Sequence, residues 1–242
     1  MTEAMLLADL DGPKVGDQVA VTGDEGIYAV LVRRIRKGDQ VVVSNGIGSA
    51  VRGAVLTADV NGLTVEVSEL LAAELGPVRF NVALPLVKGE PAESALEMLT
   101  ELGVDEIVPW LQTPADGWAS ERVERALSRW RSVVRDATKN AHRFWVPRVS
   151  PPLTTAELAV LIGEPDLAVV LDQHAQDWFA PGSVPTQGEV LVIVGPDEGL
   201  TADELHTFEQ AGGRRTRVAE AALRPPTAAA VALGQLQAFS RA

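Results

Sequence analysis

No cysteine occurs among the 242 residues of this chain. That excludes a disulfide framework, a thiolate nucleophile and a zinc–cysteine site. It suits a reducing cytoplasm, where the protein is expected to reside. Histidine is scarce as well: His142, His174 and His206 are the only three. General-base candidates are therefore few, and no metal site is expected. Positive charge is in deficit, with 21 Lys and Arg against 33 Asp and Glu, a formal net charge of −12. Such a chain is a poor nonspecific binder of nucleic acid, so any RNA function has to rest on local basic patches. No apolar run reaches membrane-spanning length and no secretory hydrophobic segment is found, so no membrane partner is expected. Internal repeats and low-complexity tracts are absent too. Ala228-Ala229-Ala230 reads as helix former, not linker.

What is present is enough apolar content, 46%, for a substantial core in one large domain or two small ones. Residues 1 to 75 carry short β-rich pieces at Val19–Val21, Val41–Val43, Val51–Leu56 and Leu63–Val67. Turn signals at Asp11-Gly12-Pro13, Ser44-Asn45-Gly46 and Asn61-Gly62 separate them. This spacing suggests a small barrel. One piece differs: a short helix is expected after Asp24-Glu25-Gly26, with Ile27, Val30 and Leu31 on its inner face. Arg33, Arg34, Arg36 and Lys37 follow at once, either as RNA contacts or as a solvated helix end.

Glu74-Leu75-Gly76-Pro77 marks a boundary, and the pattern beyond it alternates strands with helices. Strands are expected at Phe80–Leu84, Ile107-Val108 and Leu167–Leu171, with another near Arg217-Val218. Helices are expected over Pro91–Leu102, Ser120–Ala141 and Thr155–Ile162, and from Pro226 onward. This alternation argues an α/β domain with a mostly parallel sheet. The long helix buries a stripe of Val123, Leu127, Trp130, Val134, Ala137 and Ala141. Its other faces carry a second basic patch, including Arg122, Arg125, Arg129, Arg131, Arg135 and Lys139, with Arg143 just after. The patch reads either as a solvated helix face paired in part with Glu121, Glu124 and Asp136 or, because cations exceed these partners, as a face with several free for phosphates.

The stretch Glu189–Glu204, EVLVIVGPDEGLTADE, is the most informative. Val190–Val194 is a short apolar run suited to a strand buried on both faces. Gly195-Pro196 stops it, and Thr201 with Glu204 forms a T-x-x-E capping box for the next helix. A loop at the carboxyl end of a parallel strand is a common ligand site. Asp197 and Glu198 disfavour a phosphate there and favour a cationic ligand such as S-adenosyl-L-methionine. The competing reading is an ordinary strand-to-helix connection.

Taken together, VRRIRKGD (32–39), NVALPLVKGE…ALEMLTELGVDEIVPW (81–110), RWRSVVRDATKNAHR (129–143), VIVGPDEGLTADEL (192–205) and LRPPTAAAVALG (223–234) resemble the small-subunit ribosomal RNA uridine-N3 methyltransferases of the SPOUT superfamily. The resemblance covers nearly the whole chain. It implies an N-terminal PUA-like, RNA-binding β-barrel over 1–75. Over 76–242 it implies an α/β SPOUT methyltransferase domain ending in a trefoil knot. It further implies a homodimer joined through knot helices, a 16S ribosomal RNA or small ribosomal subunit partner, and S-adenosyl-L-methionine held by the knot loops. Cofactor contacts would fall at Leu171, Val194, Gly195, Pro196, Glu198, Gly199, Val218, Leu223, Arg224, Thr227 and Ala228. RNA contacts would fall at Arg33, Arg34, Arg36, Lys37, Arg135, Lys139 and Arg143. Arg224 and Arg143 are the candidates for orienting the uracil and stabilising its charge.

The chain also departs from the family pattern. It has Gly195-Pro196-Asp197-Glu198-Gly199 where the family has Gly-Pro-Glu-Gly-Gly. Ala219 stands in place of a glycine, Pro225-Pro226 in place of Thr-x, and Tyr28 in place of a histidine. If position 219 needs a left-handed backbone, a side chain there is strained. The two prolines would also remove amide donors. These departures keep open a second reading, a non-catalytic or catalytically weakened dimer of the same fold with residual RNA or ligand binding. The apolar final helix, with Ala228, Val231, Leu233, Leu236 and Phe239, is expected to pack at a twofold interface.

Overall fold

The computed structural model describes residues 3–86, 90–111 and 120–241. The stretch 87–89 of the family-like motif lies outside them. Contacts divide the chain into two units. One comprises Met1–Leu75 with Thr138–Val146, the other Gly76–Ala137 with Pro147–Ala242.

Alternating and β-branched runs make the first unit a sheet. Its strands are β1 (Ala4–Leu7), β2 (Gln18–Thr22), β3 (Gln40–Ser44), β4 (Ser49–Asp59) and β5 (Gly62–Ala72). They lie in the order β1-β3-β4-β5-β2. The β1–β3 pair is parallel and the others are antiparallel. Among the described residues the edge strands β1 and β2 share no ladder, so the expected barrel is not closed by hydrogen bonds. Helix α1 (Gly23–Leu31) packs instead on β1, β2 and β5.

The helix turns a different face inward from the one expected. Gly26 and Ala29 are buried, whereas Ile27, Tyr28 and Leu31 are exposed. Closeness decides this: a Cβ on Gly26 would meet the Val21 carbonyl oxygen at 2.3 Å, so only the small residues of α1 fit against β2.

The other face of the sheet explains why Thr138–Val146 joins this unit, although the sequence placed it in 76–242. Met5, Leu7, Val42 and Ala50 are covered by Leu71, Phe144 and Val146. The Trp145 indole N–H donates to the Ala73 carbonyl at 2.6 Å. Gly48, at φ +99°, clears the indole face, which a Cβ would meet at 2.5 Å.

The second unit is a parallel α/β layer. Its strands are β6 (Val78–Pro85), β7 (Glu106–Leu111), β8 (Arg148–Val149), β9 (Leu153–Thr154), β10 (Leu167–Leu171), β11 (Gly188–Ile193) and β12 (Arg214–Thr216). The helices are α2 (Glu90–Glu101), α3 (Ser120–Asn140), α4 (Thr155–Ile162), α5 (Ala202–Gln210) and α6 (Pro225–Ser240). The order is β12-β10-β11-β6-β7-β8, with β9 also on β7, and every pair is parallel. The expected last strand lies a few residues earlier than Arg217-Val218.

Val190–Val194 is fully buried, as a central strand covered on both faces requires. One core packs Ala83, Val108, Leu158, Val170, Leu191, Ile193 and Phe208. Within it the Trp110 ring meets Phe208 edge-on at 6.0 Å. The last three residues of α3 belong to the first unit. The α3 stripe is buried at Leu127, Trp130, Val133, Val134 and Ala137. Helix α6 buries Ala229, Ala232, Leu233 and Leu236, and it lies against α2, β6 and β11 of its own chain. Much of the surface expected at a twofold interface is therefore covered intramolecularly. No helix among the described residues is long and apolar enough to cross a membrane.

Candidate active site

Three strands of the second unit, β10, β11 and β12, end on one side of the sheet. The loops after them line a cleft of about 270 Å³, open to solvent. Its first wall is Leu171–His174, its second Val194–Leu200, and its third Arg215–Ala219 with Ala221, Leu223, Pro225 and Ala228.

The second wall is held rigidly. Val194 donates its N–H to the Ala83 carbonyl at 3.0 Å, and the buried Trp110 indole donates to the Val194 carbonyl at 3.3 Å. The Gly199 amide closes a turn on the Pro196 carbonyl at 2.9 Å. Gly199, at φ +81°, supplies the left-handed step that this turn needs. Thr201 then caps α5. Its hydroxyl accepts the Glu204 amide at 3.2 Å, and the Glu204 carboxylate accepts the Thr201 amide at 2.8 Å. The capping box read from the sequence thus fixes where the loop ends.

The first and third walls are tied by charge. Asp172 donates its amide to the Thr216 carbonyl at 3.1 Å. Its carboxylate, only 9% exposed, accepts Arg215 Nε at 3.0 Å and the His174 amide at 3.0 Å. Burial alone pushes the Asp172 carboxyl up. The His174 amide and then the Arg215 guanidinium outweigh it and hold the group below the usual carboxylate range. Arg215 also reaches Glu209 at 3.3 Å. The third wall is anchored on α6 by Gln235, which donates to the Val218 carbonyl at 3.1 Å.

Of the expected cofactor residues, Leu171, Val194, Gly195, Pro196, Glu198, Gly199, Val218, Leu223 and Ala228 line this cleft, whereas Arg224 and Thr227 do not. Those two lie at the head of α6, and both are exposed. Arg224 is its N-cap, with an extended backbone at φ −65° and ψ 150°, as a residue before proline requires. Pro225 and Pro226 open the helix, where their missing donors would have had no helical partner. The helix itself therefore loses no hydrogen bond, while the two prolines present no amide to a ligand at the head of α6. Pro225 itself is helical, contrary to expectation. Ala219 does not have positive φ; among the described non-glycine residues only Arg34 and His142 do. The condition for strain at 219 is not met.

Asp172, Gln173, Arg215 and Arg217 have no signal in the sequence pattern. They belong to no motif, and the Asp172–Arg215 pair spans 43 residues. Of the histidines, His174 lines the cleft, while His206 is exposed on α5. A narrower apolar crevice adjoins the cleft, lined by Leu84, Pro85, Ala92, Ala95 and Trp130. It shares Pro196, Asp197 and Pro225 with the cleft.

The expected RNA residues fare unequally. Arg33, Arg34, Arg36 and Lys37 follow α1, where Arg33, Arg34, Arg36 and Lys37 are all exposed. Arg135 is exposed on α3. Lys139 is occupied: it is 11% exposed, pairs with Glu25 at 2.9 Å and lies 5.3 Å over the Tyr28 ring. Arg143 is half-buried in the first unit and engaged. The expected surplus on α3 is further reduced because Arg129 grips Glu93 of α2 at 2.8 and 2.7 Å.

A parallel α/β unit with a loop cleft at its strand ends, and a separate β unit with a basic edge, define a class. Family models agree with it unit by unit: an RNA methyltransferase domain matches residues 74–237, and an RNA methyltransferase PUA domain matches 21–68. Ribosomal RNA small subunit methyltransferase E of Mycobacterium bovis is 36% identical over 229 residues, covering 92% of this chain and 87% of the relative. The Synechocystis protein of that name is 27% identical, covering 91% and 73%. In structure, the chain resembles the Neisseria gonorrhoeae ribosomal RNA small subunit methyltransferase E bound to S-adenosyl methionine. The TM-score is 0.85 at 20% identity, over 98% of each chain. The chain belongs to the ribosomal RNA small subunit methyltransferase E family.

Proposed function

We propose that the chain transfers a methyl group from S-adenosyl-L-methionine to N3 of a uridine in 16S ribosomal RNA. The observation that carries this reading is convergence. The family-like loops at 194–200 and 218–228 meet the end of β10 in one cleft at the carboxyl edge of a parallel sheet. That is where such sheets bind ligands.

The cleft's chemistry fits the cofactor. Leu171, Val194, Leu205 and Leu223 offer apolar surface to an adenosyl group. Asp197 and Glu198 disfavour a polyphosphate and favour positive charge. Bound cofactor would supply an electrophilic methyl group on a sulfonium. Removal of the N3 proton falls to a group that can accept one, and Arg224 and Arg143 cannot, because they stay protonated. His174 and Asp197 are cleft groups that can. Arg224, at the head of α6, suits the role of stabilising charge that develops on the uracil.

The trefoil knot and the homodimer belong to the same proposal. The placement of β12 beyond β10, and the return of α6 onto α2, β6 and β11, are compatible with a knot. Val231 and Phe239 of α6 remain half-buried and available to a twin helix.

The test is methyl transfer from radiolabelled S-adenosylmethionine to small ribosomal subunits that lack the modification, followed by nucleoside mass spectrometry. Label in N3-methyluridine from 16S RNA is expected. No transfer, or label on another atom or another RNA, refutes the reading.

A further inference from the structure

Two arginines from the end of β12 line the cleft, and they are not equivalent. Arg215 is fully committed, to Asp172 through Nε and to Glu209 through Nη1. Arg217 is held without being neutralised. Its amide donates to the Asp177 carbonyl at 2.9 Å, and its guanidinium carbon stacks 4.3 Å from the centre of the Trp178 ring. Its closest carboxylate is that of Glu220, at 4.0 Å and on a side chain 84% exposed. Its Nε is buried and has no hydrogen-bond partner among the described residues.

A desolvated guanidinium N–H without an acceptor is costly, and an anion on the same guanidinium offsets that cost. Stacking occupies the π face and fixes the plane, leaving the in-plane N–H fork as the part that reads a ligand. A planar fork matches a single carboxylate. A triphosphate would instead face Asp197 and Glu198 across the same cleft.

We infer that Arg217, oriented by Trp178, binds the carboxylate of the cofactor's aminoacyl end. This rests on the proposed cofactor reading and adds a specificity residue to it.

Calorimetry on the whole chain with two thioether probes separates the possibilities. S-adenosylhomocysteine carries the aminoacyl group, and 5′-methylthioadenosine lacks it. In Arg217→Ala, affinity for S-adenosylhomocysteine should fall about 10- to 100-fold, the scale of one hydrogen bond to a charged group. Affinity for 5′-methylthioadenosine should stay within about threefold. Arg217→Lys should recover part of the loss, because the charge survives and the fork does not. Trp178→Leu should weaken S-adenosylhomocysteine selectively with Arg217 intact. An unchanged S-adenosylhomocysteine affinity in Arg217→Ala, or an equal loss for both probes, overturns the inference while the cofactor reading stands. If the unsubstituted chain binds neither probe, the cofactor reading falls, and this inference with it.

Discussion

At the scale of single residues, the cleft is organised by a pair that no motif announces. Asp172 lies in one wall and Arg215 opens another, and the carboxylate accepts from both the guanidinium and the His174 amide. Asp172→Asn should therefore destabilise the fold by about 1–3 kcal/mol near neutral pH, read from denaturant midpoints. The pH dependence follows from the direction of the shift. A carboxyl held low in the folded state binds fewer protons there than in the unfolded chain. Its contribution is complete above the unfolded value of about 3.9 and is lost as pH falls through the lower folded value. The advantage of the unsubstituted protein over Asp172→Asn should shrink below about pH 4; a constant difference down to about pH 2 would contradict the assignment. Periodicity and local motifs report neighbours in sequence, and this pair is 43 residues apart. The same limit hid Lys139, whose partner Glu25 lies 114 residues away and makes an apparent surface cation part of a packed cluster.

Elements were far more legible. Val190–Val194 read as a buried strand because a central parallel strand must be apolar on both faces. The T-x-x-E signature marked the start of α5 because the hydroxyl and the carboxylate answer each other's amides. Very short strands such as β8 and β9 could not be read, since two residues carry no period. The chain has a second capping box, Thr154 with Glu157 at α4, which makes a matched control. Thr201→Ala should cost about 1 kcal/mol of stability and also weaken S-adenosylhomocysteine, because the Val194–Leu200 wall ends on that cap. Thr154→Ala should lower the denaturation midpoint comparably and leave ligand affinity unchanged, because its loop is no part of the cleft. Equal effects on affinity would show that the wall is not positioned by its cap.

At the scale of the whole molecule, the puzzle is how a chain of net charge −12 handles RNA. The sequence showed two basic clusters, and the structure distinguishes them. On α3, Arg129 is spent on Glu93 and Lys139 on Glu25, so the expected surplus there is reduced, although Arg131 and Arg135 stay exposed. After α1, by contrast, Arg33, Arg34, Arg36 and Lys37 stand exposed, and no ion pair links them to a carboxylate among the described residues. Affinity for a polyanion falls with salt in proportion to the phosphates neutralised, so the slope counts the cations that take part. Replacing Arg33 and Arg36 with alanine, and Arg34 with glycine, should flatten that slope by up to about 0.7–0.9 for each phosphate no longer neutralised. Glycine suits position 34 because its φ of +58° is left-handed, so the charge leaves without added backbone strain. Arg129→Ala should leave the slope unchanged, since its bidentate partner already neutralises it. If Arg129→Ala flattens the slope and the triple variant does not, the RNA-facing charge lies on α3, and the cluster after α1 is only a solvated turn.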